Sequence, residues 1–136
     1  MKKWYLILFV LILSICFCGC SNNEASQYQE NVFTRDMFEG VESVTFYDFN
    51  ETKYTSYDED IINELVNMLV TAKLEKLDED EYVEGAYMFS LNKKDGMIDI
   101  GLGSVIGYDY NQYRSNITSS QINDLVNRVK ETAALD

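Results

Sequence analysis

Hydrophobic residues in two segments of the chain recur at the spacing of a helix. Between residues 57 and 74, Ile61, Ile62, Leu65, Val66, Leu69 and Ala72 return every three or four positions, which places them along one side of an α-helix. Ser56 with Glu59 three residues later is a capping box, a pattern that satisfies the first free N–H groups of such a helix. At the other end of the chain, Ile122, Leu125, Val126, Val129 and Ala133 form a second stripe. It follows a second capping box, Thr118 with Gln121, and Ile117 is placed to staple onto Ile122.

Elsewhere the period is two. A two-residue turn at Asp95-Gly96, a pair tolerant of positive φ, sets Leu91 against Ile100 and Phe89 against Leu102. Asn92 then faces Asp99 and Ser90 faces Gly101, so one face of the hairpin is apolar and the other polar. Val105 to Tyr110 extends this as a third strand after a turn near Gly103-Ser104, with Gly107 at a bulge. Ahead of the first helix, residues 44–49 and 53–57 read as a hairpin across Asn50-Glu51. The order is therefore ββαβββα. One-sided strands and one-sided helices bury their apolar surfaces together most economically as an α+β fold, an antiparallel sheet of about five strands with two helices on one face.

The first twenty residues follow a different pattern. Lys2 and Lys3 precede an uncharged stretch, Trp4 to Gly19, which is short for a bilayer span of about 20 residues and matches a secretory signal in length. It ends Phe17-Cys18-Gly19-Cys20, followed by Ser21, Asn22 and Asn23. This ending resembles the lipobox of bacterial lipoproteins, with Gly19 before the cysteine that is diacylated and becomes the mature N-terminus; Phe17 and Cys18 stand where leucine and a small residue are usual. The resemblance implies a signal peptide over 1–19, a lipid on Cys20, a polar tether over 20–35 and a single domain over 36–136. It also implies a location on the outer side of the cell membrane. The whole is similar to small single-domain lipoproteins of Gram-positive bacteria. Cleavage before Cys20 would remove Cys16 and Cys18, leaving no thiol for a disulfide.

Composition narrows the chemistry. The 136 residues include no histidine and no proline, so imidazole catalysis, imidazole metal ligation and an imidazole pH switch are excluded. Acids outnumber bases by 23 to 11, a balance that disfavours phosphate contacts and hence nucleic acid. With Lys2 and Lys3 removed, nine bases face those 23 acids, a net charge of −14. Residues 36–84 hold 15 acids and 3 bases; residues 85–136 are nearly neutral.

The densest acidic run is Asp78 to Glu81 with Glu84 beyond it. Calcium favours such ligands, but Val83 occupies the sixth position, where an EF-hand loop needs glycine. A solvated loop accounts for the run, and no metal or other cofactor is expected. Asp58, Glu59 and Asp60 are accounted for by the first turn of a helix, whose free N–H groups favour negative side chains. The candidate ligand-binding residues are Tyr108, Tyr110, Tyr113 and Arg114, because tyrosine and arginine combine contact area with hydrogen bonding. Together these features predict a monomeric, non-catalytic binding or interaction module of the cell envelope, held to the membrane through Cys20 and meeting an envelope protein. An immunity or inhibitor lipoprotein that blocks a toxin or envelope enzyme is the alternative.

Overall fold

The computed structural model describes residues 32–133. Residues 1–19, expected to form a signal peptide, Cys20 and nearly all of the expected tether over 20–35 lie outside the described residues. Among the described residues, no helix is long and apolar enough to cross a membrane.

The described residues form an α+β fold, with seven strands in one antiparallel sheet and two α-helices. In chain order these are β1 (Val41–Tyr47), β2 (Lys53–Ser56), α1 (Glu59–Thr71), β3 (Leu74–Lys76), β4 (Tyr87–Lys93), β5 (Gly96–Leu102), β6 (Ile106–Tyr108), β7 (Asn111–Ser115) and α2 (Ser119–Thr132). Across the sheet the strands run β2-β1-β4-β5-β6-β7-β3.

The sequence-based count of about five strands is corrected at two places. Leu74–Lys76 follows α1 as a short edge strand paired with β7, too brief to show a period. Residues 105–110 are not one strand. They divide into β6 and the start of a hairpin whose turn residues, Asp109 and Tyr110, both adopt positive φ (47° and 60°). Aspartate tolerates that conformation better than most residues, so it favours a turn there.

The β4–β5 register also differs. Lys93 pairs with Gly96, Leu91 with Ile98 and Phe89 with Ile100, which places the turn at Lys94-Asp95, one residue earlier than expected. Gly96 carries the positive φ in that hairpin (156°) and sits after the turn, a position glycine favours in turns whose central residues have negative φ. Because the pairing moved by two residues, each side chain kept its face.

Helix α1 begins two residues after the expected start. Asp58 caps it, its Oδ1 accepting from the N–H groups of Asp60 (2.8 Å) and Ile61 (3.4 Å). Ser56 is instead the last residue of β2, and its hydroxyl shares a hydrogen bond with Thr132 of α2 (2.7 Å). The second cap forms as the sequence predicts: the Thr118 N–H donates to Gln121 Oε1 (2.9 Å) and the Gln121 N–H to Thr118 Oγ1 (3.3 Å).

Both helices pack on one face of the sheet. Val44, Phe46, Phe89, Leu91, Ile100 and Leu102 point into that layer and are fully buried, as are Ile61 and Leu65 from α1 and Leu125 and Val129 from α2. Phe33 and Phe38, from the segment that leads into β1, join the same core, packed on each other and with Phe33 against Tyr108 of β6. Glu64 and Arg128 join the two helices by an ion pair.

Candidate functional site

The opposite face of the sheet has no helix among the described residues. At the β1–β4 end it is lined by small polar side chains joined laterally. Thr45 bonds Thr55 (3.1 Å), Asn92 donates to Thr45 (2.9 Å) and Ser43 (3.1 Å), and Ser90 donates to Asp99 (2.5 Å). Every buried side-chain polar atom among the described residues has a partner, as burial of such groups requires.

The next row on this face follows from the pairings Tyr47–Met88, Met88–Gly101, Gly101–Gly107 and Gly107–Gln112. Two glycines side by side leave a gap between the Met88 and Gln112 side chains. That gap is the floor of an open groove of about 670 Å³.

One wall is the extended segment 82–86, which crosses the outer face as a strap. Gln112 holds the strap with both ends of its amide: Val83 N–H donates to its Oε1 (2.8 Å), and its Nε2 donates to the Val83 carbonyl (2.7 Å). A Cβ on Gly101 would lie 3.2 Å from Ala86 Cβ, and one on Gly103 3.1 Å from Ala86 Cα, so both glycines admit the strap. Gly107 differs, since its nearest neighbour would be Gly101 Cα at 3.9 Å, leaving its side open to the groove.

The far end of the groove is acidic. Asp99 lies two residues before Gly101, and Asp109 two residues after Gly107. On antiparallel neighbours these two positions lie at the same end, and Glu84 of the strap also belongs to the groove lining. Lysine and arginine are missing from the described groove lining. Met88 and Val83 supply its apolar surface and are 46% and 44% exposed.

The four residues singled out from the sequence are not brought together on this face. Tyr113 lies on the helix side and is buried. Burial pushes its phenol above the ordinary value of 10.0, with Tyr82 and Asp109 adding in the same direction. Tyr108 is half-buried against Phe33, with ring centroids 5.1 Å apart, and reaches the groove only at its rim. Tyr110 stands at the apex of the β6–β7 turn, fully exposed, on the groove margin. Arg114 does lie on the open face, but it is paired with Glu75 (3.0 Å) and Glu81 (3.7 Å) at the β3 edge. Cys20 is outside the described residues.

The acidic run keeps a modest structural role. Residues 79–81 form a single 3-10 turn, and the Asp78 N–H donates to Glu81 Oε2 (3.3 Å). Among the described residues, no three cysteine or acidic side chains converge in a way that could hold a metal ion.

Gly101, Gly107, Asp99, Asp109 and Gln112 were not anticipated as site residues. The signal was present in part: Gly101 and Gly107 each lie three residues from Ser104 and fall opposite each other when residues 103–105 form the loop, one residue longer than the expected Gly103-Ser104 turn. The strap carried no comparable signal, because a side-chain amide rather than a backbone ladder holds it.

Comparison of the chain with family models, with curated proteins and with solved structures gave no match.

Proposed function

We propose that this chain is an extracytoplasmic lipoprotein, anchored to the membrane through Cys20, that works as a non-catalytic binding module of the bacterial cell envelope. The observation that supports binding is the glycine-floored groove on the open sheet face. It combines apolar area, carboxylates and an exposed tyrosine at its margin, the mixture that recognition surfaces use. The anchor rests on the sequence Gly19-Cys20 and the charged, apolar, polar succession around it. A tether of about fifteen residues has a root-mean-square reach of roughly 20 Å, enough to hold a small domain beside the membrane with its open face free.

Metabolic labelling with a fatty-acid probe tests the anchor. Cys20→Ala should lose the label and leave the precursor uncut or release the protein. Unchanged labelling in that variant would overturn the assignment.

A further inference from the structure

We infer that the groove receives a lysine or arginine side chain presented by an extended segment of a basic protein; this deepens the binding reading above and rests on it. Three features of the groove converge on that occupant. Its floor is bare backbone at Gly107, beside Gly101 where Ala86 of the strap already packs, so a long side chain can descend onto Gly107 next to Gln112. Its flanks, Met88 and Val83, are apolar and suit the methylene stem of such a side chain. Its lining carries Asp99 and Asp109 at one end and also Glu84 of the strap, with no base among the described lining residues to neutralise them.

The row from Tyr47 across Met88, Gly101 and Gly107 to Gln112 covers four inter-strand steps. At about 4.8 Å each these span roughly 19 Å, the length of about six extended residues. Tyr47 and Met88 form an exposed apolar lip along it, so a chain lying across the strands meets apolar surface first and the acidic trough next.

Charge excludes the competing occupants. The chain's own tether carries Glu24 and Glu30 and no base between Cys20 and residue 31. A second copy would bring the same acidic surplus, and anionic lipid or nucleic acid would be repelled. A cationic segment gains from the same field, which steers association and fades with salt.

The test is fluorescence anisotropy on the full chain purified in detergent, with labelled hexapeptides in which valine alternates with lysine, glutamine or glutamate. Three variants separate the causes. Gly107→Leu fills the trough where the structure leaves room for a side chain. Asp99→Asn with Asp109→Asn removes the charge at one end, and the amide oxygen introduced at position 99 can still accept from Ser90. Asp124→Asn, on α2, is the control.

The lysine peptide should bind, weakening at least about tenfold in Gly107→Leu and in the double variant, as expected when charge pairs and desolvated contact are lost. The control should bind like the parent. Glutamine and lysine peptides binding equally, both lost in Gly107→Leu, would overturn the cationic occupant while sparing the groove as a binding surface. Lysine-peptide binding indifferent to Gly107→Leu would overturn the groove itself, and so would binding of none of the peptides. Equal displacement by free spermine would overturn the peptide segment as the occupant.

Discussion

On the helix-covered face of the sheet, Val44, Phe46, Phe89, Leu91, Ile100 and Leu102 are fully buried; on the open face the same strands carry Thr45, Ser90, Asp99, Met88 and Gly101. Successive residues on a strand point to opposite sides, so a single hairpin writes both lists at once. The covered face gains its stability from removing apolar area from water, and each large side chain there contributes on the order of 1.5 to 3 kcal/mol. The open face is held by lateral hydrogen bonds between small side chains, worth about 1 kcal/mol each. Stability is therefore concentrated on one side of the sheet. The other side can tolerate a gap such as the one at Gly107 at little cost to the fold.

A charge on the covered side should violate that division most severely. Ile100→Asp places a carboxylate without a partner in the core and should cost at least several kcal/mol, enough to unfold a domain of ordinary stability. Asn92→Asp, on the open face, should cost only about 1 to 2 kcal/mol, because it removes the donor to Ser43 and Thr45 and leaves the core alone. Equal melting temperatures by circular dichroism for the two variants would show that the faces had been assigned wrongly.

Within the open face, the two floor glycines should respond differently to an added side chain. Gly101→Val forces its side chain against Ala86 and should destabilise by about 1 to 3 kcal/mol, the usual cost of overpacking. Gly107→Ala meets nothing closer than 3.9 Å and should stay within about 0.5 kcal/mol of the parent. A urea titration that ranked them in the opposite order would mean that the strap does not lie over Gly101.

A milder effect concerns Tyr113, whose folded-state phenol is held above the ordinary value of 10.0 chiefly by burial. A raised value means that the neutral form is favoured in the folded chain, so this contribution is complete below that ordinary value. It is lost as the pH climbs above 10.0 toward the folded value. Tyr113→Phe should therefore lose less melting temperature than the parent between neutral pH and the alkaline range. An identical pH profile would place Tyr113 in contact with solvent.

Where the apolar period extends over many residues, the sequence was legible. Both helices, the cap at Thr118, the division of the β4–β5 hairpin into an apolar and a polar face, and the placement of both helices on one side follow from it. What escaped were features that depend on a few residues or on distant partners. β3 is three residues long, Asp58 replaces Ser56 as a cap because Ser56 belongs to β2, and Tyr113 faces inward because β7 pairs it with Ile106 of the core. Tyr108 is drawn against Phe33, a residue far away in sequence. Tyrosine content could not distinguish a ring in the core, Tyr113, from a ring at the surface, Tyr110. The groove itself is defined by absent side chains and by one glutamine amide, neither of which has a hydrophobic pattern.

Whether the helix-covered face holds the fold while the open face binds can be decided by amide NMR of the full chain during titration with the valine–lysine hexapeptide. Shift changes should be confined to Met88, Gly101, Gly107, Gln112 and the strap, while the amides of Ile61, Leu65, Leu125 and Val129 stay fixed. Changes centred on the two helices, or on the exposed Phe49 and Tyr57 with the groove amides unmoved, would contradict that division of labour.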